Sequence, residues 1–260
     1  MATANETIDG FLQQVVSCYR SGVRTKPFSN PGLSEADAYR VQYRLIDSLR
    51  EKGQIVVGHK VALTTKAARS HLGVDEPCFG HMLDRGVHSN GANVPVGDLA
   101  DPHVEAEIAF LLGQDLKGPG ITPVHVISAT QAVLPAIELV DLKVQGEGLR
   151  GADVIAHNAL HGGVVVGSRL VPLGELDLQY EGVTVEFNGV LEGTGTGSEV
   201  MGNPINSIVW LANKLAEFDD YLRAGEIIIS GSIVTPIRVR TGDHIKVTYT
   251  RLGAVGARFI

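Results

Sequence analysis

The sequence predicts an α+β protein in which a small helical N-terminal region precedes a largely β domain that closes on itself or packs as a sandwich. Three observations carry that prediction. Apolar residues recur at helical spacing up to about residue 53, short β-branched runs punctuated by glycine follow, and neither a regular βαβα alternation nor an internal repeat is present. The expected division is residues 1–55 for the helical region and 56–260 for the β-rich domain. With 260 residues the chain can bury a proper core as one large domain or two small ones.

In the first helix Ile8, Phe11, Leu12, Val15, Val16 and Tyr19 share a face, with Thr7 placed to cap it and Gly22 near its end. After the loop KPFSNPG, Ser34 and Asp37 form an S-x-x-D start, Val41, Leu45 and Leu49 make a stripe, and Gly53 sits where a C-terminal cap belongs. The strands read IVVGHKVAL, HVEAEIAFLL, HGGVVVGSRLV, VTVEFNGVLEG, EIIISGSIV and HIKVTYTRLGAVGARFI, and 31 glycines and 11 prolines, mostly at the junctions, supply their turns. Asn188-Gly189 marks a hairpin. Helices are expected at about 123–135 and about 204–218, where Pro204 fits a first helical turn. GTGTGSEVMG has the composition of a phosphate loop but lacks the G-K-[ST] ending, and reads as a flexible loop.

Composition narrows the function. Hydrophobic residues make up 44% and charged residues 20%, with no apolar run approaching the roughly 18 to 20 residues of a membrane span. The start MATANETIDG lacks the basic and apolar regions of a signal peptide, so a cytoplasmic location is expected. Cys18 and Cys78 lie far apart and form no metal-ligand pattern, which suits free thiols in a reducing compartment. A net charge of -7, a pI of about 5.7 and the absence of a Lys/Arg cluster argue against a nucleic-acid or anionic-membrane surface. The expected partner is a small molecule.

The segment HVEAEIAF places Glu105 and Glu107 two apart, on one face of an otherwise apolar strand. A solvent-exposed sheet face would explain them, but a third glutamate, Glu138, stands alone in a second apolar run, AVLPAIELVDLK. Three carboxylates converging in a partly apolar site require a cation. An oxygen-only set without His or Cys at ligand spacing suits a hard ion, Mg²⁺ or Mn²⁺, with water or substrate at the remaining positions.

These residues also fall within a family pattern. GHKVALTTKA, EPCFGHMLD, PHVEAEIAFLLGQDLKGPG, PAIELVDLK, HNALHGGVVVGSR, WLANKLA, AGEIIISGS and the closing GARFI resemble the 2-oxo-acid hydratases and decarboxylases of aromatic meta-cleavage pathways, within the fumarylacetoacetate hydrolase superfamily. The resemblance covers nearly the whole chain. It implies a mixed β-roll as the catalytic domain, Mg²⁺ or Mn²⁺ held by Glu105, Glu107 and Glu138, and Lys60 of the G-x-K segment as the active-site lysine. Lys60 would hold a carboxylate or stabilise an enolate, and a depressed pKa would let it transfer a proton; snorkelling to the surface is the alternative. Thr64, Phe79 and Ser232 are pocket residues by the resemblance alone.

The implied activity is hydration of a short 2-hydroxy-2,4-dienoate to a 4-hydroxy-2-oxo acid. Decarboxylation of the 4-oxalocrotonate type is the alternative, followed by acylpyruvate hydrolysis or a non-catalytic metal-binding subunit. Two positions depart from the hydratase pattern. Cys78 in EPCFG stands where such hydratases tend to carry an aspartate, and is either a small buried hydrophobe or a reactive thiol. His157 begins an H-N-A segment where D-N-A is usual, and is either a replacement acid/base or a hydrogen-bonded loop residue. Lys143 meets a substrate carboxylate or a surface partner, and His59 and His81 flank the pocket segments. A closed homo-oligomer is expected, and a complex with a pathway partner enzyme is implied by the resemblance.

Overall fold

The structure, a computed structural model, describes residues 4–28 and 33–260. The first half of the chain forms α1 (Ala4–Ser21), α2 (Glu35–Arg50), β1 (Val56–Ala62), α3 (Lys66–Leu72), β2 (Cys78–Leu83), β3 (Val87–Ser89), β4 (Asn93–Val94), β5 (Pro102–Leu112) and α4 (Pro123–Ala129). The second half forms β6 (Thr130–Asp141), α5 (Gly151–Ala156), β7 (His161–Val166), β8 (Gly182–Phe187), β9 (Val190–Thr196), α6 (Pro204–Leu215), β10 (Ile227–Ile229), β11 (Ile237–Arg238), β12 (His244–Tyr249) and β13 (Gly253–Phe259).

In α2 the Ser34 hydroxyl accepts the Asp37 N–H at 3.1 Å, and Ala38, Val41, Leu45 and Leu49 are buried at helical spacing. The helix ends at Arg50, and Gly53 closes the following turn at φ +81°. Gly22, at φ +65°, terminates α1 by donating to the Cys18 carbonyl at 3.0 Å. Thr7 lies within α1 rather than at its cap, and its side chain is outside the described residues, as are residues 29–32 of the loop before α2.

The larger sheet is mixed, in the order β2-β1-β10-β5-β6-β7-β3, and β11 pairs with the opposite end of β5 from β10. The smaller sheet runs β4-β13-β12-β8-β9. Its strands alternate, with Val183, Val185, Ile245, Val247, Val255 and Ala257 turned into the core. The two sheets are pinned together by Tyr249, whose hydroxyl lies 2.5 Å from the Glu107 carbonyl oxygen and 3.2 Å from that of Ala136. This is the α+β, β-roll arrangement expected. Among the described residues no helix is long and apolar enough to cross a membrane.

Two further local expectations fail. The helix expected over 123–135 ends at Ala129, and Thr130 begins a strand buried along nearly its whole length. Continuous apolar runs fit a doubly covered strand and a buried helix equally well, so periodicity does not separate them. Pro135 fits in this strand because its carbonyl accepts from Gly167 just beyond the end of β7, so its missing N–H falls where the β6–β7 pairing has stopped. GTGTGSEVMG is not a flexible loop: residues 193–196 pair with β8, and 197–199 form a 3-10 turn. Its glycines serve close packing, since a Cβ on Gly195 would sit 2.7 Å from the Ile233 carbonyl oxygen.

Glycine has opposite consequences at two other positions. A Cβ on Gly58 would overlap the Ile227 carbonyl oxygen of the neighbouring strand, whereas one on Gly10, within α1, meets nothing within 4 Å. Gly58→Ala should therefore cost about 3 kcal/mol, while Gly10→Ala should add up to about 1 kcal/mol from helix propensity. Urea denaturation of the two variants reads both effects; a neutral Gly58→Ala would contradict the β1–β10 register.

Candidate metal centre and active site

β5 and β6 run antiparallel with Glu105 directly opposite Glu138, and Glu107 follows two residues along the same face of β5. Carboxylate oxygens of all three lie within 4.8 Å of one another. Glu107 and Glu138 are fully buried. The strand beside β5 is interrupted here: Ser230 and Ile233 donate to the carbonyls of Ile108 and Ala106, but the intervening Gly231 N–H leaves the ladder and donates to Glu107 Oε2 at 2.7 Å. Gly231 adopts φ +114°, and a Cβ there would lie 2.5 Å from Thr64 Cγ2.

Lys60 reaches this cluster from β1. Its Nζ lies 3.0 Å from Glu138 Oε1 and donates to the Ala159 carbonyl at 3.0 Å. Asn158, Ala159 and Leu160 are consecutive non-glycine residues at positive φ, a left-handed turn that costs roughly 1–2 kcal/mol per residue. The turn aims the Ala159 carbonyl at Lys60. Its clamp is Asn158, whose Oδ1 accepts the His81 N–H at 2.7 Å while its Nδ2 donates to the His81 carbonyl at 2.9 Å. On the other side of Glu138, His161 Nδ1 approaches Oε1 at 2.8 Å.

Three carboxylates here face one lysine and one histidine. Burial, then the neighbouring Glu138, pushes Glu105 up to about 7. Burial followed by repulsion from Glu138 and Glu105 holds Glu107 well above the usual carboxylate range. Burial also works against ionisation of Glu138, but Lys60 and His161 outweigh it and hold this carboxyl below its usual range. Lys60 differs from the expected depressed group: burial lowers it, yet Glu138, Glu105 and Glu107 together raise it. A divalent cation among the glutamates would cancel that influence and leave burial to act. Glu107 Oε1 and Glu138 Oε2 are buried without a hydrogen-bond partner, and these orphaned oxygens fit a hard cation.

The centre opens into a cavity of about 680 Å³ reached by Lys60, Glu105, Thr64 and Ser232. Leucines, valines and Pro236 form much of its wall, and His71, His103 and Glu199 are its other titratable groups. Besides Glu107 and Glu138, which lie buried behind it, four residues expected to bind substrate or act on it are absent from its lining. Cys78 is buried in the core, where desolvation pushes its thiol up to about 12, so it is the small hydrophobe and not a reactive thiolate. Phe79 is fully buried and stacks on Tyr39 at 4.6 Å. Lys143 is buried away from the cavity, paired with Asp141 at 2.9 Å and placed 4.6 Å from the Tyr19 ring centre. His157 Nδ1 donates to the Asp153 carbonyl at 2.8 Å and Nε2 meets the Thr25 hydroxyl at 3.0 Å, so both ring nitrogens are spent on structure. His59 and His81 also lie outside the cavity.

Residues 57–260 match the fumarylacetoacetate (FAA) hydrolase C-terminal family. The chain belongs to the fumarylacetoacetate hydrolase family. Within this family it is 36% identical over 247 residues to 2-oxo-hept-4-ene-1,7-dioate hydratase of Escherichia coli, covering 93% of this chain and 92% of that one. It is 39% identical over 187 residues to 2-hydroxypent-2,4-dienoate hydratase of Pseudomonas putida, covering 72% and 84% respectively. Among solved structures, 4-oxalocrotonate decarboxylase from Pseudomonas putida G7, complexed with magnesium and adipate, superposes with a TM-score of 0.95 at 32% identity over 100% of this chain and 99% of that one.

The family pattern directs attention to Lys60 and the glutamates; its motif segments contain His161 and Gly231 without assigning them a role, and Glu199 lies outside those segments. His161 is recognisable as a partner of Glu138 only once β6 and β7 are in register. His157 supplies a separate test. Burial lowers its pKa to about 4 from an ordinary value near 6.5, so between these limits the unfolded chain takes up a proton that the folded chain refuses. Its contribution is intact above about pH 6.5 and is lost as pH falls toward 4, by about 3 kcal/mol in all. Urea midpoints at pH 7 and 4.5 should fall further apart in the wild type than in His157→Gln; equal differences would contradict a neutral buried imidazole.

Proposed function

We propose that the protein is a divalent-metal-dependent lyase that hydrates a short 2-hydroxy-2,4-dienoate (2-oxo-4-enoate) to a 4-hydroxy-2-oxo acid. The observation that carries this reading is the convergence of Glu105, Glu107 and Glu138 beside Lys60 at the inner end of a largely apolar cavity. The hydratases among its relatives and the magnesium in the solved relative support it. Bound by the three glutamates, Mg²⁺ or Mn²⁺ would polarise the substrate's 2-oxygen as a Lewis acid.

The chain's own residues do the rest. An ammonium has three N–H groups; the Glu138 and Ala159 oxygens engage two from Lys60, leaving one for the substrate carboxylate or 2-oxygen. Thr64 and Ser232 border the same space, and the apolar wall packs the hydrocarbon tail. Ketonisation moves the 2-hydroxyl proton to the far carbon of the diene. Water then adds its hydroxyl to C4 and a proton to C3. His71, His103 and Glu199 are the other titratable groups on the lining that can exchange these protons.

The second reading is a 4-oxalocrotonate-type decarboxylase, in which the distal carboxylate leaves as CO₂ and its electrons pass into the dienolate. Likeness to the solved decarboxylase favours it. Among the described residues no arginine lines the cavity to receive a second carboxylate, which favours a short monocarboxylic dienoate over a dicarboxylate such as 4-oxalocrotonate. Within the same proposal residues 1–55 form a helical region and 56–260 the catalytic domain, assembled as a homo-oligomer.

Incubation with Mg²⁺ and 2-hydroxypenta-2,4-dienoate, or separately 4-oxalocrotonate, decides between the readings. Loss of diene absorbance without CO₂, suppressed by EDTA, is the expected result; CO₂ from the dicarboxylate would establish the decarboxylase, and silence with both would defeat the two. Glu107→Gln should lower turnover at least about 100-fold with the fold retained. Lys60→Ala should lower kcat about 10²- to 10⁴-fold while metal stoichiometry stays the same, and loss of the metal would contradict its assigned role.

A further inference from the structure

On the face of β1 opposite Lys60, His59 stands directly across the strand pair from His81 of β2, with ring centres 4.9 Å apart. The turn after α6 brings Asp220 to the same place, and one ligand atom from each of the three residues lies within 4.8 Å of the others. His59 is completely buried, yet neither of its ring nitrogens has a hydrogen-bond partner; Nδ1 lies 3.4 Å from Glu226 Oε2 without aligning on it. A buried imidazole left in that condition points to a ligand.

Neighbouring groups fix how the other two residues present their lone pairs. Gln42 donates both N–H bonds of its amide, to the Phe79 carbonyl at 2.9 Å and the Ile155 carbonyl at 2.8 Å, so its Oε1 must be what faces His81 Nδ1 at 3.1 Å. Nδ1 of His81 therefore carries the proton, and Nε2 keeps its lone pair. Asp220 Oδ1 is occupied by Arg223 at 2.9 Å and by the Tyr221 N–H at 2.8 Å, whereas Oδ2 has only the Tyr43 hydroxyl at 3.5 Å. Arg223 offsets part of the negative charge of Asp220 and Glu226.

We propose that His59, His81 and Asp220 form a second metal site, distinct from the glutamate centre, for a borderline N/O-seeking ion such as Zn²⁺. Two imidazoles and one carboxylate match Zn²⁺ rather than Mg²⁺, and partly exposed Asp220 leaves one side for a water ligand. The ion would tie β1 and β2 to the segment after α6, with Gln42 and Tyr43 of α2 orienting its ligands.

The test is Zn²⁺ binding by equilibrium dialysis in excess Mg²⁺, which fills an oxygen-only centre but not an imidazole pair. The expected result is one Zn²⁺ per chain in the wild type and in Glu107→Gln, with at least a 100-fold weaker affinity in His81→Gln and in Asp220→Asn. Co²⁺ in place of Zn²⁺ should give a visible ligand-field band that the last two variants lose. Asp220→Asn alters a partly exposed turn and so provides a folded control. No Zn²⁺ uptake by the wild type under these conditions, or uptake that persists unchanged in both His81→Gln and Asp220→Asn, would overturn the site.

Discussion

Mutual repulsion among three close-set carboxylates, two of them buried, is the constraint on which the rest of this structure depends. Within 4.8 Å of one another and largely out of water, Glu105, Glu107 and Glu138 repel more strongly than the same charges at a surface would. One ammonium and one imidazole stand against them, and both are directed at Glu138. The β5–β6 pairing supplies the proximity, the bulge at Gly231 gives Glu107 a backbone donor, and the left-handed turn at Asn158–Leu160 holds Lys60 in place. Each of these features has a local cost, in a broken ladder or a strained turn, and each acts on the same few cubic ångströms.

Period-two alternation was enough to place Glu105 and Glu107 on one face from sequence, because a strand leaves no choice about successive side chains. Glu138 was legible as an acid isolated in an apolar run, although its exact opposition to Glu105 depends on a register that no local pattern encodes. The hairpin at Asn188-Gly189 was legible from its turn residues, whereas local pattern supported only a β domain closed on itself or packed as a sandwich, and the β-roll came from the family resemblance. The extent of β6 was not, since a strand covered on both faces carries no alternation and Pro135 imitates a boundary.

Misplaced site residues share one cause. Cys78, Phe79 and His157 lie in the family's motif segments, but membership in a motif does not say which way a side chain points. In β2 the alternating chain puts Phe79 into the aromatic cluster around Tyr39 and turns His81 toward Gln42. The H-N-A segment contributes to the centre chiefly through its backbone, by way of the Ala159 carbonyl, and a carbonyl has no signature in a sequence. Lys143 is similarly diverted, since its charge is met by Asp141 two residues away.

The contact between Tyr249 and the Glu107 backbone spans 142 residues, more than half of the chain, and that with Ala136 spans 113. Lys60 and the glutamates belong to its first and middle parts, whereas Gly231 and Tyr249 come from its final stretch. During synthesis the acidic pocket therefore lacks its clamp until the last strands emerge, and contacts so distant in sequence form late and slowly. A truncated or stalled chain would possess every charged group of the centre and still lack the frame that holds them, so competence to retain a metal reports that the C-terminal hairpin has closed.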